Sequence, residues 1–478
     1  MYDVAVIGSG FGGSVAALRA AQAGKRVVVL EQGRRLTPED LQAGAASPLR
    51  LLWEPALGLR GYFQQKLLRH VMVVGGVGVG GGSIVYAAVL LKPKEFPGAW
   101  ESLGVDWADE LAPHYAEAAR MLGRESNPQW GVQDQWLQQA SEAMGVADTF
   151  GKTPQGIRFE DCLACGQCIT GCPHGAKVFR YLPQAEALGV QVRTHSRAEI
   201  LVPLPAGGWR VVTRNPFSGA VDCVQAREVV LAAGVLGTVQ LLLANRYKWG
   251  TLPDLPAAVG QHVRTNSEAF AAILHPAGTD VTHGSTISSD FYPDPATHVT
   301  NNRFPASYGF MRYYLSPVVD GDRRRATLRA LVRDPRGFTA NLWTRDWHKR
   351  VTILTVMQNA DNEMALEWRG GRMRSRIPDG VPPVPVSLPQ ADAAGRAVAQ
   401  ASGGRAYTTL LESVFGVGAT AHILGGAVLG EVVDDQHRVA GYEGLRIMDG
   451  SVVPENIGVN PSWTITALAE RACAKWLT

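Results

Sequence analysis

Residues 3–31 switch hydrophobic period twice. Asp3-Val4-Ala5-Val6-Ile7 is an apolar run of strand length. From about Ser14 to Ala23 the chain turns to Ala, Leu, Arg and Gln, which favour helix, and Gly24 follows as a C-terminal cap. Arg26 to Leu30 is a second apolar run, closed by Glu31. Strand, helix and strand in this order predict a βαβ unit, hence an α/β fold whose parallel sheet carries helices on both faces.

Further along, a helix rich in Ala and Glu is expected near 107–122. Residues 191–231 alternate in the manner of strands around a Gly207-Gly208 turn. They end in Glu228-Val229-Val230-Leu231, which runs through Ala232-Ala233 into Gly234 and then a Leu-rich helix from Thr238. Val351 to Met357 reads as a strand, 378–389 as a Pro-rich loop, and Thr464 to Trp476 as a closing helix. Residues 36–70 mix Leu51, Leu52, Trp53, Tyr62 and Phe63 with Pro48, Pro55 and Gly58. This pattern fits either an amphipathic lid over a cavity or a buried connection.

A chain of 478 residues is too long for one compact core, so closely packed sub-domains are expected. Residues 265–410 carry no assignable motif and are, by elimination, expected to cover a substrate. The net charge of +3 is too small to suggest nucleic acid as a partner. No apolar run has the length of a membrane span, and Tyr2 to Ile7 already reads as a strand, so a cytoplasmic protein is expected. Arg323-Arg324-Arg325 with Arg329, Arg333 and Arg336, interleaved with Leu328, Leu331 and Val332, fits a solvated helix face or peripheral contact with anionic lipid.

Glycine, at 53 residues, is clustered. Gly8-Ser9-Gly10-Phe11-Gly12-Gly13 fits G-x-G-x-x-G between the first strand and the first helix. Gly8 makes the turn, Gly10 lets backbone approach a pyrophosphate, Gly13 permits close helix–strand packing, and the helix N-terminus supplies N–H groups and positive potential. Glu31 lies eighteen residues after Gly13, where a carboxylate can bind ribose hydroxyls. This fingerprint does not separate NAD from FAD. A motif at the first residues, no second copy, and a return to the nucleotide near the C-terminus favour FAD. Gly234, at the end of the strand before the Leu-rich helix, is counted with this site.

Gly80-Gly81-Gly82-Ser83-Ile84-Val85-Tyr86, Ala421-His422-Ile423-Leu424-Gly425-Gly426, Asp449-Gly450-Ser451 and Val459-Asn460-Pro461-Ser462-Trp463-Thr464 together resemble the glucose-methanol-choline (GMC) FAD-dependent oxidoreductases, in their cholesterol-oxidase-like branch. The resemblance covers roughly 1–265 and 415–478, and it implies a discontinuous FAD-binding domain, 1–265 with 415–478, and a sheet-based substrate domain, 266–414. It implies FAD as cofactor, with Gly80, Gly81, Gly82 and Ser83 forming a second loop along it. It places Asp449 and Gly450 by the ribityl or pyrophosphate, and Pro461 and Ser462 at a helix N-terminus facing the flavin. It implies hydride transfer from a CH–OH group to flavin N5, His422 as general base, and Asn460 as donor to the alcohol oxygen. The substrate would be a small-molecule alcohol, hydrophobic and of steroid-like type, with O2 or another electron acceptor. A substrate-domain carboxylate is also implied. Glu363 and Glu367 lie in the unmatched region and neither is assigned.

Cys162, Cys165, Cys168 and Cys172, followed by Pro173, have the spacing of a bacterial ferredoxin run. An iron–sulfur cluster, a zinc knot and free structural thiols in a cysteine-rich loop at 160–177 are all open readings. A cluster would carry electrons from reduced flavin and make the enzyme a dehydrogenase instead of an oxygen-using oxidase, and one alternative is a flavin–iron–sulfur electron-transfer dehydrogenase acting on another substrate class. A non-catalytic FAD-binding descendant is a further alternative.

Overall fold

The computed structural model describes residues 1–96, 98–319 and 323–477. Strand β1 (Tyr2–Ile7), helix α1 (Phe11–Gln22) and strand β2 (Val27–Leu30) form the expected βαβ unit, with β1 and β2 parallel from Val4↔Val27 to Ile7↔Leu30. The strands are continuously apolar because both faces of the sheet are covered. α1 is buried from Phe11 to Leu18, wedged between this sheet and the closing helix Ser462–Trp476.

The 11-residue strand Val221–Leu231 explains the rest of the first sheet. Its second half runs parallel to β1 and to Leu445–Ile447, which brings the C-terminal segment to the nucleotide end. Its first half pairs antiparallel with Trp209–Arg214, which pairs with Arg197–Pro203. The parallel core is therefore extended by an antiparallel meander. The link at Gly207-Gly208, with φ of 87° and 85°, is too short for the crossover that a parallel pair requires.

A second seven-stranded sheet is antiparallel, in the order Leu315–Pro317, Arg405–Thr409, Ala269–Leu274, Val351–Gln358, Thr297–Asn302, Ser289–Asp294, Gly151–Lys152. Helices Val132–Ala143 and Pro389–Ser402 cover one face through Leu137, Ala140, Ala394 and Val398. Residues 132–152 thus pack with the second sheet although the resemblance grouped them with the first. No composition shift marks their departure. The other face carries Phe304, Tyr308 and Ile353 together with Leu51, Tyr62 and Phe63. In the 36–70 segment those three residues form a buried connection, while Trp53, Glu54, Pro55 and Ala56 line a cavity.

Two buried histidines make the fold acid-sensitive. Burial pushes His275 down to about 3 and His437 down to about 4. Both stay neutral in the folded chain at mildly acidic pH, whereas unfolded histidine takes up a proton near pH ~6.5. The unfolded state then binds more protons. Stability fully present above about pH 6.5 is lost as pH falls, at about 1.4 kcal/mol per pH unit for each histidine. His437 donates from Nδ1 to the Ile447 carbonyl (2.9 Å) at a φ of 57°. His437→Asn retains a donor and tolerates that backbone. Urea unfolding between pH 7 and 5 is expected to show a slope shallower by about 1.4 kcal/mol per pH unit for the variant below the histidine range. An unchanged slope would rule His437 out as a source.

Candidate active site

One cavity of about 1080 Å³ runs between the two sheets. At its nucleotide end lie Gly8, Gly10, Phe11, Gly12, Glu31 and Gly234, joined by Gly81 and Gly82 of the second glycine loop and by Asp449, Gly450, Pro461 and Ser462 of the C-terminal segment. Gly13, Gly80 and Ser83 do not reach it. A Cβ on Gly13 would sit 2.1 Å from the Gly8 carbonyl oxygen, so this residue serves packing within the turn. The Gly80 N–H donates to Ser9 Oγ (3.0 Å), and the Ser83 side chain is buried behind the loop.

The walls fit FAD by two observations. First, a Cβ built on Gly10 meets no atom within 4 Å, so the central glycine of the motif opens directly into the cavity. There the N-terminus of α1 carries no acidic side chain in its first turn and presents free N–H groups to an anion. Second, the Asn460 amide oxygen is buried in the cavity wall without a partner, a place for a ligand donor.

Glu31 and Asp449 are held by backbone and hydroxyl donors. Glu31 accepts from Ser9 Oγ (2.7 Å), Ser9 N–H (3.2 Å) and Gly33 N–H (2.9 Å), and burial raises its carboxyl above the usual range. Asp449 accepts from Thr238 Oγ1 (2.5 Å) and from the N–H and Oγ of Ser451 (2.9 and 2.5 Å). It therefore ties the start of helix Gly234–Tyr247 to the end of strand Leu445–Ile447. Burial raises its carboxyl as well.

His422 and Asn460 meet in the middle of the cavity. The parallel pairing of Gly418–Thr420 with Val71–Gly76 delivers His422 beside the second glycine loop. Asn460 stands just before the closing helix, and its Nδ2 lies 3.0 Å from His422 Nε2. On the other side of the ring, His422 Nδ1 is paired with Oε1 of Glu268, whose side chain is fully buried. Oε2 of Glu268 accepts from the Ala421 N–H (2.8 Å). The carboxylate thus grips both the backbone and the ring at 421–422. With a proton on Nδ1 facing Glu268, Nε2 keeps its lone pair toward Asn460 and the cavity.

Glu268 is the carboxylate that sequence reasoning missed. Arg264 and Leu424 exchange backbone hydrogen bonds (2.8 and 2.9 Å), which sets residues 264–268 against the histidine segment. Glu363 and Glu367 are engaged elsewhere, with His262 (3.2 Å) and Arg264 (3.5 Å) and with Arg376 (3.3 Å) respectively. The only local signal for Glu268 is a polar run, Thr265-Asn266-Ser267-Glu268, directly before an apolar strand. Beyond the His–Glu pair the cavity becomes apolar and aromatic, lined by Phe270, Phe304, Tyr308, Phe310, Met311, Tyr314 and Leu411.

The cysteine run has the spacing of a cluster without its geometry. Cys162, Cys165, Cys168 and Cys172 are free thiols around a void of about 10 Å³. Among the described residues no three His, Cys, Asp or Glu side chains converge to hold a metal ion. Burial raises the Cys165 thiol and pushes Cys168 up to about 11. The loop is held instead by backbone: Gly166 N–H to the Gly284 carbonyl (2.8 Å) and Gly284 N–H to the Ala164 carbonyl (2.8 Å). It supports the second glycine loop through Lys177. That amine is pushed down to about 8 by burial, donates to the Ile84 carbonyl and lies 5.1 Å from the centre of the Tyr86 ring. This geometry lends no support to an iron–sulfur cluster, and the chemistry derived below does not draw on these thiols.

GMC oxidoreductase family models match residues 5–245 and residues 341–469. The chain is 37% identical to a cholesterol oxidase of Mycobacterium tuberculosis (strain ATCC 25618 / H37Rv), over 99% of this chain and 91% of that one. It is 36% identical to a cholesterol oxidase of Acinetobacter baumannii, over 98% and 93% of the two chains. Among solved structures, pyridoxine 4-oxidase from Mesorbium loti shares the fold, with a TM-score of 0.64 at 16% identity over 99% of both chains.

Proposed function

The chain belongs to the GMC oxidoreductase family, FAD-dependent oxidoreductases acting on CH–OH donors, and from that premise we propose that it oxidises a hydrophobic alcohol with His422 as the base. The observation that carries this reading is the Glu268–His422–Asn460 chain, which opens into an aromatic chamber.

FAD, when bound, supplies the hydride acceptor. The backbone at Gly10 and the α1 N-terminus would hold its pyrophosphate, Glu31 its ribose, and the 461–462 helix start its ring. The remaining chemistry belongs to side chains of this protein. Asn460 Nδ2 donates to the alcohol oxygen and orients it toward His422. His422 Nε2 accepts the hydroxyl proton as the carbonyl forms. Glu268, fixed by the Ala421 N–H, keeps the imidazole in the required tautomer and balances the imidazolium charge. The apolar walls exclude water and select the rest of the substrate by burying it. The aromatic and aliphatic lining of this chamber suits a steroid-like alcohol, in line with the cholesterol oxidases to which the chain is similar.

A series of primary alcohols of increasing length, with a 3β-hydroxysteroid, tests the substrate class. Each methylene buried contributes about 0.8 kcal/mol, so kcat/KM is expected to rise about three- to four-fold per carbon until the chamber is filled. Dye reduction and hydrogen peroxide release, measured together, identify the electron acceptor. A flat series, or a preference for short polar alcohols, would contradict the hydrophobic reading.

A further inference from the structure

Helix Arg323–Arg333 is inverted relative to an ordinary surface helix. It turns Arg323, Ala326, Thr327 and Ala330 toward the protein. Arg323 spans Glu412 (2.5 Å) and Asp392 (2.6 Å), and Thr327 is buried. Its outward face carries Leu328, Leu331 and Val332, with Val332 81% exposed, between the exposed Arg324, Arg329 and Arg333. A helix that packs only on its own protein hides its apolar stripe. Here small and polar side chains face in, and branched aliphatic ones face out.

The neighbouring elements continue this surface. Helix Pro335–Trp343 packs beside it and ends in Trp343, 82% exposed. The turn Leu411–Phe415, on which Arg323–Arg333 rests, exposes Phe415 and contributes Leu411 to the cavity wall. From Arg323 to Arg350 the chain holds nine Lys and Arg against two Asp, a formal charge of +7, while the whole chain carries +3. One of the two, Asp334, is tied to Arg405 (2.8 Å).

We propose that this corner docks on a bilayer surface bearing anionic lipid headgroups. Arg324, Arg329 and Arg333 meet the phosphates, and Leu328, Leu331, Val332 and Trp343 enter the interface. The concentration of cations selects an anionic surface. The apolar side chains between them select a membrane over a soluble polyanion. No helix among the described residues is long and apolar enough to cross a membrane, so the contact lies on the surface. The inference rests on this face alone and does not depend on the substrate.

The test is co-sedimentation of the full-length holoenzyme with phosphatidylcholine vesicles, with and without phosphatidylglycerol. Binding is expected only with phosphatidylglycerol present, and it is lost at high salt. Each basic side chain contributes about five-fold to affinity, so R324Q/R329Q/R333Q weakens binding about 100-fold. V332S/W343S also weakens vesicle binding but leaves heparin binding unchanged. Both variants are expected to retain FAD and turnover of dispersed alcohol, because none of these side chains lines the cavity. Failure to bind phosphatidylglycerol vesicles would overturn the proposal. So would wild-type vesicle affinity in either variant.

Discussion

Replacing His422 with alanine is expected to lower alcohol turnover by about 10²–10⁴-fold while leaving FAD bound. The imidazole holds no backbone element in place, and the nucleotide end of the cavity is formed by other residues. Glu268→Gln is expected to lower kcat on the order of 10²-fold with KM little changed, because the amide cannot balance the imidazolium formed as the proton moves. The two effects should not add. Glu268 acts through the ring, so the double variant H422A/E268Q is expected to be close to His422→Ala alone. Additive losses would give Glu268 a separate role in contact with substrate. Near-normal turnover in His422→Ala would remove the histidine from the proton path. FAD absorbance of each purified variant separates these outcomes from loss of cofactor.

The second large effect separates two glycines of one motif. Gly12 faces inward: a Cβ there would lie 1.7 Å from the Met448 carbonyl oxygen. Gly12→Ala must part α1 from the end of strand Leu445–Ile447, and even ordinary overpacking costs about 1–3 kcal/mol. A large drop in the thermal midpoint is expected, in protein with or without FAD. Gly10 faces the cavity, where a side chain meets no protein atom. Its φ of −70° and ψ of −163° suit any residue. Gly10→Val is therefore expected to fold with a near-wild-type apo midpoint and to purify colourless, its side chain occupying the pyrophosphate position. Gly10→Val protein with a full complement of FAD would place the nucleotide elsewhere.

The contrast between these glycines shows where the sequence was legible. The motif, β1, α1, β2 and Glu31 lie within residues 2–31, so hydrophobic period and glycine spacing report them directly. His422 and Asn460 were reached through family resemblance, and the structure brings them within 3.0 Å of each other. Glu268 was not legible because its role comes from a residue 154 positions away, through a backbone bridge that no local pattern announces. The cysteine run is the opposite case. Its spacing is that of a ligand set, but among the described residues no three such side chains converge to hold a metal ion, and the turns at Gly166 and Gly171 and the pairing with Gly284 are set by backbone. The segment 132–152 joined the second sheet because tertiary packing of Leu137 and Ala140, not local composition, decides its place.

The most direct test of the central claim is anaerobic mixing of the purified holoenzyme with a hydrophobic alcohol, protiated or deuterated at the carbinol carbon. Bleaching of the flavin bands, slowed several-fold by deuterium and nearly abolished in His422→Ala, is the result this account predicts. Flavin bands that stay unchanged with every alcohol, or that bleach equally fast in His422→Ala, would contradict it.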